Sequence, residues 1–265
     1  MNSKDKNTNL LFWIPMQYNF SIRLKNNLPK IISWLFINLF PTSYYALIGS
    51  ENITPKTIIT LIIYTISFFY LYEFGYIQND LISTKKEKNP TERLSPSQKK
   101  YASENYNLIK YCRILIFIIS ALIILFLDPT QNTIIAISIS FICFILFQIY
   151  NNWRSHYNAF LYFWLVACRF IPFIFIINNN SSQLILHTIL ILLIYPLEIG
   201  IERFSMPKYR YPIISQVIPS EKSKTIFRFI YYFVITTILI FTIGFNYTIF
   251  PFFLFLIYRF ILSIK

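Results

Sequence analysis

Eight apolar runs, each about 18 to 22 residues long, cover most of this 265-residue chain, and that is the length a helix needs to cross roughly 30 Å of hydrocarbon. They extend from Ile31 to Ile48, Thr57 to Ile77, Leu108 to Leu127, Thr133 to Tyr150, Ala159 to Ile177, Leu184 to Ile201, Thr225 to Phe245 and Tyr247 to Ile264. Isoleucine, phenylalanine and tyrosine are abundant enough to invite a strand reading, but the runs are too long and lack the alternation of a barrel strand. With 55% hydrophobic residues, 20% aromatics and a mean hydropathy of +0.51, the chain is too apolar for a soluble domain of its size. The expected fold class is all-α, a polytopic membrane bundle of about eight helices. Pro41 interrupts the first run, where neighbouring helices can absorb a kink.

Charge alternates between the connectors. Lys4, Lys6, Arg23, Lys25 and Lys30 precede the first run; Lys85, Lys86, Lys88, Arg93, Lys99 and Lys100 follow the second; Arg154 follows the fourth; Arg203, Lys208, Arg210, Lys222 and Lys224 follow the sixth. The opposite connectors hold only Lys56. The positive-inside rule then puts both termini and the long loops in the cytoplasm. The formal charge of +13 is read as topology and attraction to anionic membrane lipid, and nucleic-acid binding is not expected. Residues 1–30 read as a cytoplasmic arm with an interfacial helix around Met16 to Leu28, and 31–265 as one transmembrane domain. Cys112, Cys143 and Cys168 are scattered within spans, without disulfide or zinc spacing.

Ionisable residues inside apolar runs cost at least about 2.5–3.5 kcal/mol each at a helix centre, so they face a cavity or a partner. Glu73, Glu198, Glu202 and Arg169 are of this kind. Glu73, Asp80 and Glu87 stand seven apart and would share one helix face if the helix continues into the loop after the second span. Glu198 and Glu202, at i and i+4, are neighbours on one face at the end of the sixth. Crowded carboxylates repel unless something positive joins them. A hard cation such as Mg²⁺ is one answer; pairing with Lys85, Lys88 or Arg203 is the other. Arg169 sits deep in its run, where it either pairs with an acid such as Glu73 or caps carbonyls released by Pro172. His156 lies in a connector and His187 at the outer end of the sixth span, away from the acids.

The stretch GYIQNDLISTKKEKNPTERLSPS resembles the first signature of the UbiA superfamily of intramembrane prenyltransferases. That signature reads approximately Gly-Tyr-x-x-Asn-Asp, acids three and seven residues further on, then Thr-x-Arg-Pro-x-Pro-Ser-Gly. Asn79 and Asp80 match the opening pair, Glu87 the last acid, and Thr91, Arg93, Pro96 and Ser97 the tail; Ser83 stands at the middle acid. Glu198 and Glu202 match the family's second acidic signature, while Tyr150, Arg154 and Arg169 take the places of the family's Tyr-Ser-x-x-Lys segment and the arginine of the following helix. The resemblance spans about Tyr64 to Pro212, with eight spans where the family commonly has nine.

The resemblance implies an enzyme, a transferase of prenyl groups, that moves an isoprenoid from a polyprenyl diphosphate to a lipid-soluble acceptor at the cytoplasmic face of a bacterial inner membrane. Asn79, Asp80, Glu87, Glu198 and Glu202 would hold Mg²⁺, with Asp80 and Glu202 the acids on which turnover depends most. Arg93, Arg154, Lys208 and Arg169 would hold or orient the phosphates. Two other readings are open: phosphoribosyl transfer to a polyprenyl phosphate, which NPTERLSP also resembles, and a non-catalytic relative or transporter. No paired broken helices in repeated halves, a mark of many transporters, are visible in the sequence.

The alternation of charge has a direct test. In a chain lacking its native cysteines, Ser97→Cys and Ser220→Cys are expected to react with a membrane-impermeant maleimide only from the cytoplasmic side, and Asn179→Cys only from the other. Labelling of all three from one side would exclude eight spans with this orientation.

Overall fold

The computed structural model describes residues 9–50, 52–86, 91–153, 155–177, 181–206, 209, 211–218 and 221–264. Among these, the α-helices in chain order are α1 (Leu28–Asn38), α2 (Phe40–Ile48), α3 (Pro55–Leu81), α4 (Pro96–Glu104), α5 (Tyr106–Leu127), α6 (Gln131–Asn152), α7 (Asn158–Phe170), α8 (Pro172–Phe175), α9 (Ser181–Ile194), α10 (Pro196–Phe204), α11 (Pro212–Val217), α12 (Glu221–Ile243) and α13 (Phe250–Ile264). Eight segments among the described residues are long and apolar enough to cross a membrane, consistent with an integral membrane protein. Local chemistry starts several of them. Thr54 and Thr57 cap each other ahead of α3, Ser95 and Gln98 do the same for α4, and Pro55 and Pro96 fill first-turn positions where no N–H is needed.

Three of the eight spans break near a proline. The first divides at Leu39 ahead of Pro41, the fifth at Ile171 ahead of Pro172, and the sixth at Tyr195 ahead of Pro196. Proline lacks the N–H and disfavours helical geometry in the residue before it, so the ladder is interrupted there. The third break is repaired by side chains: the Tyr231 and Tyr232 hydroxyls donate to the carbonyls of Leu193 and Ile194, groups that α9 leaves without intrahelical partners.

The described chain sorts into two compact units, residues 1–36 with 52–153 and residues 37–51 with 154–265. In the first, α3 packs against α5 and α6. Gly75 lets α3 approach α6 closely, because a Cβ there would overlap the Phe147 ring. Asn151 of α6 reinforces the approach, donating to the Gly75 carbonyl at 2.7 Å and to Gln78 Oε1 at 3.0 Å. In the second unit, α7 packs against α10 and α12 against α13. Gly200 plays the matching part there, with Phe163 of α7 against its open face.

Residues 16–28 are where the sequence places an interfacial helix in the arm. Its regular part is a π-helical turn, Asn19–Arg23, and Phe12 and Tyr18 are fully buried, in the same core as Phe74 and Ile77 of α3. Trp13 Nε1 donates to the Tyr101 hydroxyl at 2.9 Å. Met16, at φ 63°, takes the left-handed backbone conformation that turns the chain into this site.

The contact at Gly75 sets an expectation. Gly75→Ala should lower stability in detergent by about 1–3 kcal/mol, the usual cost of overpacking, and Phe147→Leu in the same chain should recover part of it. An unchanged thermal midpoint for Gly75→Ala would show that α3 and α6 do not meet at this distance.

Candidate functional site

The last turns of α3 carry the first acidic cluster. Asp80 is buried, and its oxygens are ringed by donors: Oδ1 accepts from Arg23 Nη2 at 3.0 Å and Arg93 Nη1 at 2.9 Å, with Asn79 Nδ2 at 3.3 Å, and Oδ2 accepts from the Tyr18 hydroxyl at 2.8 Å. Arg23 also donates to the Tyr76 carbonyl at 3.2 Å and lies 4.6 Å over the Tyr76 ring. Burial, and then the charge of Asp80, push the Tyr18 phenol well above its ordinary range, so it remains a donor.

Glu73 lies two helical turns earlier on the same face and has a different set of partners. Asn19 N–H donates to Oε1 at 2.8 Å, and Met16 N–H and Arg113 Nη1 donate to Oε2 at 3.1 and 3.3 Å. Arg113, fully buried, extends Nη2 to the Phe12 carbonyl at 2.9 Å and stacks 4.2 Å over Tyr70. Glu73 and Arg113 therefore fasten the arm to the helices through its own backbone.

The second unit has its own cluster. Arg228 grips Glu202 with two parallel bonds, Nε to Oε2 at 2.8 Å and Nη2 to Oε1 at 2.7 Å, the fork geometry that suits a guanidinium to a carboxylate. Glu198, on the preceding turn and fully buried, has Arg228 Nε at 3.3 Å and Arg259 Nη2 at 3.5 Å from one oxygen, though neither carboxylate oxygen completes a well-aligned hydrogen bond. Arg259 also lies over the rings of Tyr258 and Tyr232. Arg169 closes the polar region of this unit with its guanidinium 5.1 Å from the Phe170 ring and 5.9 Å from that of Tyr195.

Of the residues expected to form the site, Asn79, Asp80 and Arg93 come together in the first unit, and Glu198 and Glu202 share a face in the second. Glu87, Arg154 and Lys208 lie outside the described residues. Of the cations expected to neutralise the acids, Lys88 lies outside the described residues. Lys85 is exposed, and Arg203 packs 3.9 Å over the Tyr162 ring and donates to Met206 Sδ. Arg93 pairs with Asp80, and Arg23, Arg113, Arg228 and Arg259, none of them named from sequence as a partner of the acids, pair with Asp80, Glu73, Glu202 and Glu198. The usable signal was that Arg113, Arg228 and Arg259 fall within or beside apolar runs, where a cation needs an acid as much as an acid needs a cation. Ser83, at the position of the middle acid, is fully buried and donates to the Asn151 carbonyl at 2.8 Å; an aspartate there would face an acceptor.

The side chains bear directly on the Mg²⁺ that the resemblance implies. Such an ion needs carboxylate oxygens; those of Asp80, Glu73 and Glu202 accept from arginine, tyrosine or backbone donors, and those of Glu198 complete no aligned hydrogen bond. Among the described residues, no three His, Cys, Asp or Glu side chains gather as metal ligands. Among the described residues, Asp80, Glu73 and Glu202 are paired with guanidinium groups.

No protein-family model matches the chain, and no curated protein or solved structure does either.

The Glu73–Arg113 pair makes a prediction. Arg113→Gln leaves a buried carboxylate without its counter-charge and should cost about 3–5 kcal/mol. Adding Glu73→Gln should recover a measurable share, read as a coupling in a double-mutant cycle of unfolding in mixed micelles. Strictly additive losses would mean that the two charges do not meet.

Proposed function

We propose that this protein is an intramembrane prenyltransferase that acts on a polyprenyl diphosphate and a lipid-soluble acceptor from the cytoplasmic face. One observation carries the reading. Asn79, Asp80 and Arg93, which match the opening and the tail of the UbiA-type signature, converge on one carboxylate across thirteen residues of chain. The eight apolar spans support it, since both substrates dissolve in the bilayer.

The chemistry asks for positive charge at the diphosphate and for dryness at the prenyl chain. The allylic C–O bond breaks, the electron pair leaves on the diphosphate oxygen, and the acceptor forms the new bond to the allylic carbon and releases its proton to solvent. Guanidinium groups such as Arg93 and Arg23 suit the first task, because they deliver paired N–H donors to phosphate oxygens without being deprotonated. An apolar bundle suits the second, because a site that excludes water protects the allylic cation.

The arginine pairs favour a second reading, that of a non-catalytic relative in which the acids only hold helices together. A single experiment separates the two. Membranes containing the protein are supplied with a panel of radiolabelled polyprenyl diphosphates, and new lipids are identified by mass. The prenyltransferase reading expects one panel member to be consumed, with Asp80→Asn and Glu202→Gln each lowering turnover by about 100-fold or more. Folded protein that consumes no donor, or variants as active as the parent, would leave the acids with a structural role only.

A further inference from the structure

One face of α3 carries a stripe that the acidic clusters leave largely unused. Lys56, Ile59, Ile63, Ile66 and Tyr70 follow one another at intervals of three and four, which sets them on a single line along the helix. At about 1.5 Å per residue the line is about 21 Å long, the depth of one bilayer leaflet with its headgroups, about 20–22 Å. Its inner half is a groove. Between α3 and α5 lies a cavity of about 200 Å³, lined by Ile62, Ile66 and Tyr70 of α3, Ile116 and Ser120 of α5, and Pro15 of the arm. Pro15 precedes Met16, whose N–H is fixed to Glu73 Oε2 at 3.1 Å, so it closes the groove at its Tyr70 end. Arg113 steadies that end, lying 4.2 Å over the Tyr70 ring. The rims are open: Ile62, Ile66 and Ile116 keep 52%, 46% and 42% of their surface exposed, midway along spans where the surroundings are hydrocarbon.

We propose that this groove binds one membrane phospholipid, with an acyl chain lying in it, the terminal methyl against Pro15 and Tyr70, and the phosphate at Lys56. Depth, size and chemistry select that occupant. The groove lies about 10 Å from the Pro55 end of α3 and about 16 Å from the Leu81 end, inside the hydrocarbon layer and beyond the reach of a water-soluble partner. It is too small for a helix of a second copy, which with side chains is about 10–12 Å across, whereas a single hydrocarbon chain fills a narrow slot and gains the dispersion contacts that an empty one forfeits. The walls are apolar, and the Ser67 hydroxyl among them is spent on the Tyr64 carbonyl at 3.1 Å. A headgroup therefore has nothing to hold in the groove, and the stripe leads it to Lys56, which is exposed. Lys56 shares its connector with Glu51, which lies outside the described residues; the site asks for a phosphate, which zwitterionic and anionic phospholipids both carry. It occupies the opposite end of α3 from Asp80 and stands whether or not the protein is a prenyltransferase.

The test is photolabelling of the full chain in phosphatidylcholine nanodiscs. A phosphatidylcholine with a diazirine at the end of one acyl chain is included at low mole fraction and irradiated, and its adducts are mapped by mass spectrometry after digestion. They are expected to concentrate on Ile66, Tyr70 and Pro15, and a probe with the diazirine near the glycerol should shift them toward Ile59. Ser120→Phe, which fills the groove from α5, should cut these adducts at least about fivefold, because its ring takes the packing space of the chain. Ile116→Trp fills the same space should Ser120→Phe fail to fold, and Leu122→Phe, at an exposed position on the opposite face of α5, should leave the adducts unchanged. Lys56→Gln should lower them about two- to fivefold. A polyprenyl diphosphate carrying the same diazirine at the same mole fraction should label the groove less than the phospholipid does. Adducts spread evenly over the exposed apolar residues, or untouched by both filling variants, overturn the site. Stronger labelling by the polyprenyl probe overturns the phospholipid as its occupant, and a yield unchanged by Lys56→Gln overturns Lys56 as the partner of the phosphate.

Discussion

A carboxylate inside an apolar bundle must be neutralised, and here the neutralising group is arginine. That constraint organises both units. In the first, Glu73 and Arg113 are each almost fully buried and share donors with the arm backbone, so the arm completes an ion pair and its ordering is tied to that of the helices. In the second, Arg228 and Arg259 come from the last two spans to meet Glu198 and Glu202 on α10. Buried pairs of this kind contribute little net stability relative to an apolar replacement but are costly to break on one side, so they specify which helices belong together.

Arginine suits this task better than lysine would. A guanidinium engages several acceptors at once, as Arg113 does with Glu73, Tyr70 and Phe12, and it stacks on aromatic faces that a chain one-fifth aromatic supplies freely. Five arginines in these clusters or beside them lie over rings. The aromatic abundance, which in sequence reads only as lipid-facing and interfacial surface, thus also supports the buried charges. Tyrosine does further work at the Pro196 break, where two hydroxyls stand in for the missing helical donors.

The same pairing shapes the functional reading. Acids at the spacing of a prenyltransferase signature suggest a metal, yet the side chains arrange those acids around guanidiniums. Two arginines meet Asp80 in the first cluster, Arg23 from the arm and Arg93 from the loop after α3. Ser83 is a buried hydroxyl that ties α6 to the turn after α3.

The number and approximate limits of the apolar spans were legible in the sequence, because run length against bilayer thickness is a one-dimensional constraint. So was the seven-residue register that puts Glu73 and Asp80 on one face of α3, and the four-residue spacing that makes Glu198 and Glu202 neighbours, since helical periodicity is local. What the sequence could not determine was partnership. Which cation meets which acid depends on contacts between residues 13 to 61 positions apart, and an arginine near the end of an apolar run looks the same whether it reaches the headgroups or turns inward. The breaks at Pro172 and Pro196 stood in the sequence only as prolines, tolerated or disruptive according to what lies alongside. Tertiary structure decided these questions, because a buried charge is stabilised by three-dimensional proximity and by nothing that spacing along the chain records.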